Sequence, residues 1–151
     1  MPPPLPRPAE LLCFSLYAAS HALGRIYKPL LEPLGLTYPQ YLVMLSLWDE
    51  DGQTVGGIGD RLLLESSTIT PLLKRLEAAG LIARSRDAAD ERVVRARLTP
   101  AGDALRERAR DIPRCLLGAT GLDAAGAERL RAELDRMRAA LLAASASQPP
   151  G

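Results

Sequence analysis

Aromatic side chains are scarce in this chain, with four Tyr, one Trp and one Phe in 151 residues. Each therefore invites a reason. Histidine is rarer still, His21 alone, and there are two cysteines, Cys13 and Cys115. Neither type recurs at a metal-ligand spacing, so no metal centre or other cofactor is expected. No apolar run approaches the ~20 residues that span a bilayer. The leading MPPPLPRPAE lacks the apolar core of a secretory signal. A cytoplasmic protein with no membrane attachment and with both thiols reduced by default is the expectation. Runs of β-branched residues are rare, whereas Leu, Ala and Arg dominate, which favours helix over sheet. Charge nearly cancels, at +1, so the total alone points to no polyanionic partner. With 47% apolar and 25% charged residues, one globular domain with a real core is the simplest organisation.

Along the chain, residues 1–8 read as a disordered or extended Pro-rich tail. A long helix is expected from Ala9, with Leu12, Leu16, Leu23, Ile26 and Leu30 forming its apolar stripe. Pro29 and Pro33 should kink or end it before a turn at Gly35. Thr37 suits an N-cap, followed by Pro39 in the first turn. The helix it opens, Tyr38 to about Asp49, is apolar almost all round (Tyr41, Leu42, Val43, Met44, Leu45, Leu47, Trp48) and should be central. A short, glycine-weakened helix spans Val55–Leu63. Pro71 is tolerated only in a helix's first turn, which places the next start near Ser66 or Ser67, both good caps. Its buried face is Leu72, Leu73, Leu76 and Ala79, and Gly80 ends it.

Two alternating segments, Leu81–Arg86 and Val93–Leu98, then read as a hairpin closed by residues 87–92, DAADER. Thr99 caps a helix running toward residue 118, broken near Pro113. Asp123 caps a last helix with Leu130, Leu134, Met137 and Leu141 at 4-3-4 spacing, a seam for a partner helix. Residues 145–151 read as a disordered tail.

Charge is unevenly placed. Residues 1–60 carry three basic and six acidic groups, whereas residues 61–97 carry eight basic and five acidic. On charge alone the latter fits an ordinary solvated face as well as a phosphate-facing one. Order is more informative: short helix, polar-started helix, glycine stop, arginine-bearing hairpin. That is a winged helix-turn-helix, in which the second helix puts its amino-terminal residues against base edges of duplex DNA. Ser66, Ser67, Thr68 and Thr70 stand there with short hydroxyl side chains. Arg75 can contact guanine in bidentate fashion, and Lys74 suits phosphate. Arg84, Arg86 and Arg92 of the wing suit the DNA backbone or a narrow minor groove. Asp90 is expected to aim Arg92 through a charge-assisted hydrogen bond.

The segment STITPLLKRLEAAGLIARSRDAADERVVRARLTPAG resembles the recognition helix, D-x-R wing and following helix start of the MarR family. The resemblance implies a mainly α (α+β) fold: a winged helix-turn-helix over residues 37–99 within one domain spanning 9–144. Helices in 9–36 and 100–144 would dimerise it. It also implies a homodimer on pseudo-palindromic duplex DNA, with half-sites about one helical turn apart. The stretch LLCFSLYAASHALGRIYKPLLEPLGLTYPQYLVMLSLW narrows the match to the branch that senses organic hydroperoxides, the OhrR regulators. By that resemblance Cys13 is the peroxide sensor, and Tyr17, Tyr27 and Tyr38 occupy the matching tyrosine positions.

The residues make chemical sense of this. A thiolate, not a thiol, reacts usefully with peroxide, and the start of a helix favours an anion. Phenol hydroxyls can hydrogen-bond such an anion. Tyr17 shares a helix face with Cys13. Tyr27 lies about 21 Å further along a straight helix, so it can meet only the thiol of a second subunit, across antiparallel first helices. Leu12, Phe14 and Leu16 form an apolar surround suited to organic peroxides. Taken alone, Cys13 fits a small buried hydrophobe better than a sensor, and the tyrosines fit ordinary packing. His21 reads as a polar residue near the dimer seam or a proton partner for the thiolate.

Some members of the branch use a second cysteine of the other subunit to form a disulfide. Counted from Pro113, that position falls on Gly118, one turn from Cys115. The resolving partner is therefore Cys115 or a low-molecular-weight thiol capping the sulfenic acid. Glu65 stands where the family has Asp, a weaker cap, and Gly56-Gly57 softens the preceding helix. The expected role is a repressor, not an enzyme, that releases its operator when Cys13 is oxidised. Two alternatives are a MarR-type regulator responding to a small phenolic ligand and a peroxidase-type thiol enzyme, in which the hairpin would have no role.

Overall fold

The structure, a computed structural model, describes residues 1–147. It is mainly helical, with one two-stranded antiparallel sheet. The helices are α1 (Leu12–Leu31), α2 (Tyr38–Asp49), α3 (Val55–Leu62), α4 (Ser66–Ala78), α5 (Pro100–Ala109), α6 (Ile112–Ala119) and α7 (Ala124–Ala146). Strands β1 (Ile82–Arg86) and β2 (Val94–Leu98) pair from Ile82↔Leu98 to Arg86↔Val94. The chain divides at Asp111 into two compact units, Met1–Asp111 and the residues from Ile112 onward. The division falls between α5 and α6, at the break in the helical run just ahead of Pro113.

α2 is the centre of the first unit, as its all-round apolarity predicts. Tyr41, Val43, Met44, Leu47 and Trp48 are buried, although Leu45 faces out. Thr37 accepts from the Gln40 amide, and the Gln40 side chain accepts from the Thr37 amide at 2.9 Å, a reciprocal capping box. Ile58 of α3, Ile69, Leu72, Leu73 and Leu76 of α4, Ile82, Ala96 and Leu105 complete the core. Trp48 Nε1 donates to the Gly102 carbonyl at 2.9 Å, tying α2 to α5. A Cβ at Gly102 would lie 1.9 Å from the Leu81 carbonyl oxygen, so only glycine lets α5 approach the wing.

Four expectations are corrected. The first long helix begins at Leu12 rather than Ala9, because Pro8–Glu10 forms a 3-10 turn closed by Arg7 and Glu10 and Leu11 is extended. Its other end runs through Pro29 to Leu31, where a 3-10 turn over Glu32–Leu34 takes over. Pro71 lies in the second turn of α4, not its first. The carbonyl it deprives of a donor belongs to Ser67, on an exposed turn open to water. Glu65, not Ser66 or Ser67, is the α4 N-cap, and it makes no side-chain cap bond. Ala79 is exposed, and Ile69 takes its place on the buried face.

In the second unit α7 has no buried residue, and Leu130, Leu134 and Leu141 of its seam are exposed. Ser145 and Ala146 belong to this helix. Ser147, also in the proposed tail, is its C-cap, and residues 148–151 lie outside the described residues.

Candidate functional site

α3, α4 and the hairpin form one polar surface on the winged region. Thr54 caps α3, its hydroxyl accepting from the Gly57 amide at 3.0 Å. This bond supports a helix weakened by three glycines. Leu63 then takes a left-handed conformation (φ 58°), and α4 starts after Glu65. Ser66, Ser67 and Thr68 are exposed and Thr70 is half-buried. Because none of these hydroxyls caps the helix, all remain available to a ligand. Lys74 and Arg75 are exposed on the same helix. Gly80 adopts φ +76°, and the Leu81 amide donates to the Leu76 carbonyl at 3.1 Å, so α4 ends in a Schellman turn that launches β1.

The wing arginines separate into two groups. Arg84 is turned inward. Its amide and guanidinium both donate to Glu77 of α4, at 2.9 and 3.1 Å, which fixes the root of the wing and holds the Glu77 carboxyl below its usual range. Arg95 also serves the scaffold, through Asp87 and the Gly52 carbonyl. Arg86 reaches the Glu91 carbonyl at 2.8 Å and stays exposed. Arg92 protrudes, its side chain 91% exposed, with its amide and Nε donating to Asp90 Oδ1 at 3.1 Å. Asp90 thus aims Arg92 in the way its sequence position suggests. Those hydrogen bonds hold the Asp90 carboxyl below its usual range.

Sequence reasoning missed Glu77, Asp87, Arg95 and Gln53 as builders of this surface. The Gln53 carbonyl accepts from the Ala96 amide at 2.9 Å, and Thr54 forms an isolated bridge with Arg95, so residues 53–54 act as a short third strand beside β2. The signal for Asp87 was present: an acidic residue directly after a strand whose partner carries arginine.

The thiol lies elsewhere. Cys13 is the second residue of α1, nearer the helix start than the sequence suggests, and it is exposed. Tyr17 follows on the same side, 62% exposed, its ring 4.3 Å from that of His21. Tyr27 and Tyr38 meet at the other end of α1, ring centroids 4.5 Å apart, with Tyr41 at 6.0 Å from Tyr27. Burial, and then the neighbouring phenols, push Tyr27 up to about 12. The structure therefore brings Tyr27 and Tyr38 together and keeps both away from the chain's own Cys13. Cys115 is exposed in α6, within the second unit. Among the described residues no cluster of His, Cys, Asp or Glu could hold a metal ion, and no helix is long and apolar enough to cross a membrane.

Residues 36–94, which contain α2 to the wing, match the family model described as MarR. An organic hydroperoxide resistance transcriptional regulator of Bacillus subtilis is 51% identical over 107 residues, covering 71% of this chain and 73% of that one. The chain belongs to the MarR family. MarR-type relatives also include TtmR of Methylorubrum extorquens, 53% identical over 111 residues; these cover 74% of this chain but only 57% of that relative's length. The solved structure of reduced AbfR bound to DNA superposes with a TM-score of 0.76 at 36% identity, over 89% of this chain and 94% of that one. The helix-hairpin surface is thus the winged helix of a MarR-type transcriptional regulator.

Proposed function

We propose that the protein is a homodimeric, cytoplasmic repressor that binds a pseudo-palindromic DNA operator and releases it when an organic hydroperoxide oxidises Cys13. The amino-terminal part of α4 enters the major groove with Ser66, Ser67, Thr68 and Thr70 toward bases or phosphates. Arg75 reads guanine, and Lys74, Arg86 and the Asp90-aimed Arg92 hold the sugar-phosphate backbone. Arg84 acts by fixing the wing's angle through Glu77.

The observation that carries the sensing half is the position of Cys13. It is an exposed thiol in the first turn of a helix, where the dipole favours negative charge. It also lies on a chain 51% identical to a regulator of organic hydroperoxide resistance. Tyr17 of the same chain and the Tyr27–Tyr38 pair of the second subunit donate hydrogen bonds to the thiolate. Oxidation replaces that anion with a sulfenic acid, and those contacts loosen. Cys115 of the other subunit, or a low-molecular-weight thiol, then condenses with the sulfenic acid.

Cys13→Ser tests the reading. The variant is expected to bind operator DNA as the reduced protein does and to stay bound after cumene hydroperoxide treatment in a gel-shift assay. Release at the wild-type peroxide dose would remove Cys13 from the mechanism.

A further inference from the structure

A proline inside a helix costs stability, because it removes one amide donor and its ring presses on the carbonyl four residues back. Among the described residues, Pro39, Pro100 and Pro113 stand first or second in α2, α5 and α6, where no donor is lost. Pro29 comes two residues before the end of α1. Pro71 differs from all of these, being the sixth of the 13 residues of α4. It is exposed, so no burial in the core offsets its cost. The buried side of α4 is Ile69, Leu72, Leu73 and Leu76. Ser67, Pro71, Lys74 and Ala78, spaced by four, three and four, form its exposed ridge. The amide that Pro71 lacks is the one that would serve the Ser67 carbonyl. No side chain among the described residues donates to that carbonyl instead, and a carbonyl on the solvent side of a helix tilts outward. A local rule broken on an exposed face, with no gain to the fold, is the signature of a functional position.

We infer that the Ser67 carbonyl, set free by Pro71, accepts a hydrogen bond from an exocyclic amino group in the major groove, N6 of adenine or N4 of cytosine. Pro71 is then a positioning residue for sequence readout. The inference rests on α4 entering the major groove, as proposed above. Adenine and cytosine present amino donors there, whereas guanine O6 and thymine O4 are acceptors. A bare carbonyl therefore favours the first two bases and repels the others. The rest of this surface cannot make that distinction. From Ser66 to Arg75 there is no acidic, Asn or Gln side chain. Lys74 and Arg75 are donors only, and each Ser or Thr hydroxyl rotates to donate or accept as the base requires. Glu77, the first carboxylate of α4, is occupied by Arg84. A carboxylate on the ridge would accept as well, but its charge would be repelled by the phosphates on either side of the groove. A backbone oxygen accepts without that charge and cannot rotate into a donor.

The test starts with the full reduced chain selecting duplexes from a randomised pool, which yields the bound half-sites. Each adenine or cytosine fixed in a half-site is then replaced in turn by its analogue lacking the amino group, purine or 2-pyrimidinone. At one position the parent chain should lose about fivefold in affinity per half-site, the size of one neutral hydrogen bond. In Pro71→Ala the new amide takes the Ser67 carbonyl, so that loss should vanish and selection at the position should relax, even as the helix melts higher. Lactic acid placed at position 71 gives an ester with neither an amide hydrogen nor a ring, and it should keep the fivefold loss. A parent chain that tolerates every analogue overturns the inference, as does a loss that persists in Pro71→Ala. A loss that vanishes in the ester too would belong to the proline ring and overturn it equally. Arg75→Ala separates this failure from that of the wider reading. If it shifts the selected sequence while Pro71→Ala does not, α4 still reads DNA and the carbonyl alone is removed. If neither shifts it, α4 is not the reader and both fall.

Discussion

In the winged region the polar side chains that shape the backbone have hydrogen-bond or ion-pair partners, whereas at the start of α1 the candidate functional side chains have none among the described residues. Arg84 is held by Glu77, Arg95 by Asp87 and Gly52, and Arg92 by Asp90. Thr54, Thr99 and Gly80 fix the turns between them. Cys13 and Tyr17 instead stand exposed near the start of one helix. On the function proposed above, the difference separates two tasks. A surface that must match the pitch of duplex DNA is held rigid in one subunit. A surface that must change upon reaction is left for a second subunit or a small molecule to complete.

The strongest test of the rigid half is Gly102→Ala. The new Cβ would meet the Leu81 carbonyl at 1.9 Å, a backbone atom that cannot rotate away. The wing must separate from α5, and the Trp48 hydrogen bond to the Gly102 carbonyl is strained with it. A loss of about 3 kcal/mol is expected from overpacking of this kind, read by denaturant unfolding. An unchanged midpoint would mean that α5 does not lock the wing.

Acid offers a second test. Hydrogen bonds from the Arg84 amide to Glu77, and from the Arg95 side chain to Asp87, hold both carboxyls below their usual range. Such groups stabilise the fold fully above their unfolded values, about pH 4, and lose that contribution as pH falls through the lower folded values. The parent chain should therefore lose melting temperature on acidification more steeply than Glu77→Gln/Asp87→Asn, which should start lower and decline less. Parallel curves would show that neither pair holds the wing.

These partners also mark how far the sequence could be read. The caps at Thr37 and Thr99, the glycine stop after α4, the hairpin and the Asp90–Arg92 bond are all local, and each is legible from residues close together in the chain. The Glu77–Arg84 clamp and the third strand at Gln53 depend on how elements dock, and composition does not encode docking. The Pro71 rule failed for a related reason: buried Ile69, Leu72 and Leu73 hold α4 together through a turn that lacks one hydrogen bond. The grouping of Cys13 with Tyr17, Tyr27 and Tyr38 proposed from the sequence is not assembled within one chain, because Tyr27 sits at the far end of the helix that carries the thiol.

Arg92→Ala asks whether the wing's projecting charge meets phosphate. The side chain is 91% exposed and its hydrogen-bond partner is the neighbouring Asp90 alone, so stability should hold. Affinity should fall for all DNA sequences alike, and the slope of log affinity against log salt should flatten by about one. An unchanged slope would exclude a phosphate contact. Asp90→Ala should weaken binding less, since the charge remains and only its aim is lost.

Gly56→Ala gives the smallest expected effect and sharpens the comparison most. Gly56 lies in the first turn of α3, and a Cβ there meets nothing within 4 Å. Replacing glycine with alanine in a helix stabilises it by about 0.5–1 kcal/mol, seen as a modest rise in melting temperature. If α3 is merely under-stabilised, operator affinity and peroxide release both stay as they were. If the softness of α3 carries the change at Cys13 to the DNA surface, the variant binds operator normally but needs more peroxide for release. The peroxide dose for half-release, set against the melting temperature, separates a weak helix from a helix that is weak for a purpose.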